Sequence, residues 1–153
     1  MHIECKLVLM LFCRMSVEHD RRIYAENPRN NFNPDVGPLL YLSTPSPSSN
    51  LRLEEGFTQG SKVEVFYDPM ISKLVAHGRD RSEALRVLGK ALEEYHVVGV
   101  STNIEFLRTL AANEHFVNGE VETGFIAVSS FYFSDLLLLG GLRKLNMFRL
   151  VET

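Results

Sequence analysis

The sequence predicts an α+β fold, a small mainly antiparallel sheet with C-terminal helices, on three observations. Short apolar runs bounded by Pro, Asn, Ser and Gly fill residues 28–76, as strands separated by turns do. From residue 80 the apolar period lengthens from two to between three and four, the spacing of amphipathic helices. Strands come first and helices later, which favours an antiparallel sheet over a parallel one.

The elements follow in order. Pro28, Asn30, Asn31, Pro34, Gly37 and Pro38, then Pro45-Ser46-Pro47-Ser48-Ser49-Asn50, are loop chemistry. One apolar stretch interrupts it, Leu39 to Leu42, expected as a short strand, and Leu51-Arg52-Leu53 is a second. Lys62 to Tyr67 alternates, with Val63, Val65 and Tyr67 on one face and Lys62, Glu64 and Phe66 on the other. Met70 to Ala76 is a further apolar strand, entered through the Asp68-Pro69 bend.

Asp80-Arg81-Ser82-Glu83 has capping-box spacing, with Asp80 as N-cap and Glu83 reaching back. Ala84, Leu85, Leu88, Ala91, Leu92 and Tyr95 then form the buried stripe of a helix. Thr102-Asn103-Ile104-Glu105 repeats the capping pattern. It opens a second helix carried by Ile104, Phe106, Leu107 and Leu110 and ending near Asn113. Val121 to Ile126 is expected to return as a strand.

Composition narrows the function. The chain has 153 residues, 45% hydrophobic and 23% charged, which is globular composition in the length of one domain. Net charge is −3 with basic residues scattered, so no nucleic-acid footprint is present. Cys5 and Cys13 are too few for a disulfide framework and point to a reducing compartment. The five histidines are dispersed, with no His-Glu-x-x-His or Cys-x-x-Cys string, and no metal site is expected.

Leu7 to Cys13 is apolar behind Lys6, but Glu4 spoils the basic flank of a signal peptide and no small-x-small cleavage site follows. Phe125 to Leu142 is apolar too. Asp135 interrupts it and Gly140-Gly141 closes it, so a membrane span is not expected and a locally packed or poorly ordered tail is.

Four strings carry a family resemblance: Arg22-Ile23-Tyr24-Ala25-Glu26-Asn27-Pro28, Tyr67-Asp68-Pro69-Met70-Ile71-Ser72-Lys73-Leu74, Gly99-Val100-Ser101-Thr102-Asn103 and Thr123-Gly124-Phe125-Ile126. Together they resemble the C-terminal domain of biotin carboxylases. The resemblance implies a non-family segment at residues 1–20, the domain at 21–126 and a non-family apolar tail at 127–153. The wording is closest to the alpha subunits of acyl-CoA carboxylases, the methylcrotonoyl-CoA type above all, through Tyr24-Ala25-Glu26-Asn27-Pro28, Asn30-Asn31-Phe32, Gly37-Pro38-Leu39 and Thr44-Pro45.

The resemblance implies that Arg22 stands beside the biotin ureido ring, as both the catalytic and the biotin-binding residue. A urea nitrogen becomes nucleophilic only when its proton leaves, and charge then spreads onto the ureido oxygen. A guanidinium, permanently charged with planar donors, suits that oxyanion better than lysine does. The string departs from the family at Asp20, where glutamate is usual, at Arg21, an added charge, and at Asn27, where aspartate is usual. Asp68 and Lys73 read as bend and surface residues within reach of an ion pair, weak if exposed.

The cofactor implied is biotin. ATP, Mg2+ and bicarbonate belong to the ATP-grasp and central domains, which this sequence lacks, so a truncated product inactive alone is one expectation. The implied partners are the biotin carboxyl carrier domain, other carboxylase subunits and a second copy of the chain. A non-catalytic assembly module, with Leu51-Arg52-Leu53 near the contact, is the alternative. Residence is mitochondrial for the parent family and cytoplasmic for a leaderless product.

Overall fold

The structure, a computed structural model, describes residues 17–64, 66, 68–122 and 125. By internal contacts the chain divides between Val121 and Glu122, and every element named here belongs to the first unit. In chain order these are β1 (Val17–Tyr24), β2 (Glu26–Asn27), a 3-10 turn (Pro28–Asn30), β3 (Asn33–Pro34), β4 (Gly37–Pro38), β5 (Tyr41–Ser43), β6 (Leu51–Glu55), β7 (Lys62–Val63) and β8 (Met70–Gly78). Then come α1 (Arg81–Glu94), β9 (His96–Val98), α2 (Ile104–Ala111) and α3 (Glu114–Asn118).

The scaffold is an antiparallel sheet in the order β1-β8-β6. β8 lies in its centre, and Ile71, Ser72, Leu74, Val75, Ala76 and Gly78 are all buried there. Register places His19, Arg21 and Ile23 opposite Ala76, Leu74 and Ser72 on one face. α1 packs on that face through Ala84, Leu85, Leu88, Ala91 and Leu92, and the following Tyr95 hydroxyl meets the Ser72 hydroxyl at 2.9 Å. The pairs β2-β3, β4-β7 and β5-β9 are small separate ladders, all antiparallel.

The expected α+β class is the class observed, with differences in detail. The strand expected at Leu39 to Leu42 is observed as β5, Tyr41–Ser43, because its ladder with β9 begins at the Tyr41–Val98 pair. Only Lys62–Val63 of the alternating run joins a ladder; Phe66, on the other face, is 86% exposed, and Val65 and Tyr67 lie outside the described residues. Val121 and Glu122 join no strand. Of the rest of that stretch only Phe125 is described. The two cysteines, the Leu7 to Cys13 run and the tail beyond Phe125 also lie outside the described residues.

Capping is partly as expected. The Asp80 carboxylate accepts from Glu83 N–H at 2.8 Å, but Glu83 reaches past Asp80 to accept from Arg79 N–H and Nε, each at 2.9 Å. Asn113, expected near the end of α2, caps the N-terminus of α3 by accepting from Phe116 N–H at 3.1 Å.

Gly99 has φ +121, and a Cβ there would press on the Pro38 carbonyl oxygen. This close approach carries β9 past the β4–β5 connection, where Leu40 N–H donates to Val98 O at 2.9 Å. Gly99→Ala combines a disfavoured φ with that clash, so it is expected to cost about 3 kcal/mol. Urea unfolding checks this: a midpoint unchanged from wild type contradicts the geometry.

Candidate functional site

The face of the sheet opposite α1 carries a row of charges. Asp20 and Arg22 come from β1, Lys73 from β8, and Arg52 and Glu54 from β6, because residues two apart on a strand share a face. Lys73 lies directly opposite both Arg22 and Glu54. Its ammonium pairs with Asp20 at 3.3 Å and Glu54 at 3.6 Å, and Arg52 pairs with Glu54 at 3.3 Å. The Asp68–Lys73 pair entertained from sequence is replaced by these, since Lys73 sits between two facing carboxylates on neighbouring strands.

Arg22 differs from its neighbours. It forms no ion pair among the described residues, and its buried Nε has no hydrogen-bond partner among them. The Tyr24 phenol, with smaller contributions from the Asp20 and Asp68 carboxylates, holds its pKa above the usual guanidinium range. A permanently charged planar donor with unspent hydrogen-bonding capacity is what an oxyanion requires.

Local backbone sets the direction of Arg22. The β1–β8 register steps between Ile23, opposite Ser72, and Tyr24, opposite Met70, so Ile71 is the extra residue of a bulge. Ala25 N–H then donates to Pro69 O at 2.9 Å. Thus the first two motifs read from sequence are brought together in space. The third joins them: Asn103 Oδ1 accepts from Tyr24 N–H at 3.0 Å and Nδ2 donates to Arg22 O at 3.2 Å. From the same motif, Ser101 N–H donates to the Asp35 carboxylate at 2.7 Å, a bond that holds the Asp35 pKa below its usual range.

Sequence reasoning read Thr102-Asn103-Ile104-Glu105 as a cap. Asn103 does occupy the N-cap position of α2, but its side chain makes no capping bond because it is committed to β1. The available signal was an asparagine at a helix start within a family-specific string.

The α1 face of β1 is unusual for a core. Arg21 is 4% exposed, and its guanidinium lies over the Phe116 ring at 5.2 Å, with that of Arg81 over the same ring at 4.9 Å. Burial, then Arg81, lowers the Arg21 pKa to about 10, with Asp20 opposing. His19 is 3% exposed, and neither ring nitrogen has a hydrogen-bond partner among the described residues. Burial first, then Arg21 and Arg81, lowers its pKa from 6.5 to about 4.

Between those values the unfolded chain takes up a proton at His19 and the folded chain does not, so stability falls as pH drops from 6.5 to about 4. Discounted for solvent near the strand edge, the loss is on the order of 2 kcal/mol. His19→Leu is expected to flatten that part of a urea-midpoint-versus-pH curve; an unaltered slope would show that another group titrates.

Residues 20–128 match the family described as the biotin carboxylase C-terminal domain. The chain belongs to this family. The mitochondrial methylcrotonoyl-CoA carboxylase subunit alpha of Dictyostelium discoideum is 55% identical over 109 residues, 71% of this chain and 16% of that relative. The human mitochondrial propionyl-CoA carboxylase alpha chain is 40% identical over 107 residues, 69% of this chain and 15% of that relative.

Among solved structures, the biotin carboxylase domain dimer of Hydrogenobacter thermophilus 2-oxoglutarate carboxylase, in complex with MgADP, ADP and bicarbonate, superposes with a TM-score of 0.72 at 26% identity. The match covers 75% of this chain and 25% of that one. The biotin carboxylase C-terminal domain described here thus spans 15–16% of the length of these curated relatives. Within it, Arg22, Lys73 and Asn103 converge on the stepped end of the β1–β8 ladder.

Proposed function

We propose that this biotin carboxylase C-terminal domain serves an acyl-CoA carboxylase of the methylcrotonoyl-CoA type, with Arg22 as the catalytic residue that contacts biotin. The observation supporting this most directly is the Arg22 guanidinium itself, beside a strand step, with neither an ion pair nor a hydrogen-bond partner for its buried Nε among the described residues. These donors fit the ureido oxygen of biotin, whose nitrogen supplies the carboxyl-carrying chemistry. Arg22 stabilises the charge that develops on that oxygen as the nitrogen proton leaves. Tyr24 holds the guanidinium from one side, and Lys73, pinned by Asp20 and Glu54, keeps the neighbouring carboxylates occupied.

One arginine cannot supply phosphoryl transfer, and no His, Cys, Asp and Glu cluster among the described residues could hold a metal ion. ATP, Mg2+ and bicarbonate are therefore assigned to other domains of an assembled carboxylase, and the domain alone is proposed to be inactive. Its proposed partners are a biotin carboxyl carrier domain and other carboxylase subunits. Its proposed residence is the mitochondrial matrix, in line with the names of the Dictyostelium and human relatives. No described helix is long and apolar enough to cross a membrane.

The test is a graft in which residues 21–126 replace the corresponding domain of a full-length alpha subunit. ATP-dependent carboxylation of free biotin by the graft supports the reading. A folded graft that binds MgATP but carboxylates nothing counts against it.

A second reading, a dimerisation or assembly module, draws on β6 being an edge strand with Arg52 and Glu54 exposed, and on the dimeric 2-oxoglutarate carboxylase relative. Co-purification of the free chain with full-length subunits, without any gain in carboxylation, distinguishes it.

A further inference from the structure

We propose that Asn103 is the positioning residue for Arg22, its carboxamide standing in for a neighbouring strand along the outer edge of β1. The inference rests on the biotin-contacting role proposed for Arg22 and adds what aims it. β1 is the edge strand of its sheet, and no described strand pairs with its outer side. Backbone groups there need partners, because a buried unpaired peptide group costs about as much as a lost hydrogen bond.

Asn103, 2% exposed, supplies three bonds over one short span. Its Oδ1 accepts from Tyr24 N–H at 3.0 Å, its Nδ2 donates to Arg22 O at 3.2 Å, and its own N–H donates to Tyr24 O at 3.3 Å. A carboxamide has the donor and acceptor of a peptide unit, so it can continue the ladder where no described strand runs. The side chain forgoes capping α2 to do this.

The clamp grips Arg22 and Tyr24 on both sides of Ile23, at the point where the register steps. A bulge re-aims the side chains around it. Holding the Arg22 carbonyl and the Tyr24 amide together therefore fixes the Arg22 side-chain direction and the phenol beside it. Aspartate keeps the acceptor and loses the donor to Arg22 O, and alanine loses both.

The experiment uses the whole 153-residue chain, labelled with 15N and 13C. In wild type, a through-hydrogen-bond coupling between Tyr24 N and Asn103 Cγ is expected; its absence overturns the proposal. Asn103→Asp and Asn103→Ala are compared with Ser72→Ala, which removes the buried Ser72–Tyr95 bond on the opposite face. The readouts are the Arg22 Nε–H signal and its displacement by free biotin.

Both Asn103 variants are expected to move the Arg22 signal and weaken its biotin response at least fivefold, while Ser72→Ala loses stability and changes neither. If the Asn103 variants speed Tyr24 amide exchange yet leave the Arg22 signal and its biotin response unchanged, Asn103 only covers an edge and the proposal falls. If Asn103→Ala does not fold, Asn103→Asp, which retains the Tyr24 bond, carries the comparison. A wild-type Arg22 that ignores biotin refutes the proposed function instead, and the biotin-free Arg22 signal in the variants still decides the positioning.

Discussion

Arg22→Ala, introduced into the grafted full-length subunit, is expected to lower kcat for free-biotin carboxylation on the order of 100-fold, about 3 kcal/mol of transition-state stabilisation. The guanidinium is proposed to meet charge that exists mainly in the transition state. The loss should therefore fall on kcat, with KM for biotin little changed. Arg22→Lys preserves the charge but loses the planar donors, and lysine's flexible stem cannot reproduce a buried Nε, so it is expected to recover less than tenfold. Initial rates of ADP release with free biotin measure both variants. A change smaller than threefold for Arg22→Ala, in a graft whose unmutated form is active, would remove Arg22 from the chemistry.

The largest stability effect is expected at Leu74. This side chain is fully buried at the centre of β8, opposite Arg21 on one neighbouring strand and Leu53 on the other, on the face covered by α1. Leu74→Ala removes the methyl groups and leaves a cavity that strands held on both sides collapse poorly, costing about 3–5 kcal/mol. Leu40→Ala, at a side chain 64% exposed, is the control and should change stability by less than about 0.5 kcal/mol. Urea midpoints at fixed m-value read both. Equal midpoints would mean that the sheet is not the cooperative unit of this chain.

Much of the helical half was legible in the residues. The stripe Ala84, Leu85, Leu88, Ala91 and Leu92 is buried as its spacing requires, because a helix in contact with one sheet face has only one apolar side to hide. Asp80 caps as expected because that bond is local. β7 stopped after Val63, by contrast, since a ladder needs a partner and alternation alone does not provide one. β9 and α3 had no clear signal, being too short for any period to show.

The site divided in the same way. Arg22 was singled out by the family resemblance of a string of adjacent residues, and its charge is intrinsic to the side chain. Its lack of an ion pair among the described residues, the bulge at Ile71 and the clamp from Asn103 all depend on residues far away along the chain. Arg21 read only as an added charge, but alternation along β1 turned it inward onto Phe116 beside Arg81.

By itself the sequence determined the family, the α+β class, the helix starting at Arg81 and the identity of Arg22 as the residue to test. All of these are carried by composition, periodicity or contiguous motifs. Only the tertiary structure decided which carboxylates hold Lys73, what His19 and Arg21 face, and why Asn103 leaves its helix uncapped. The physical reason is that a side chain's partner is whatever packing brings within about 3 Å, and packing joins residues that the sequence keeps far apart.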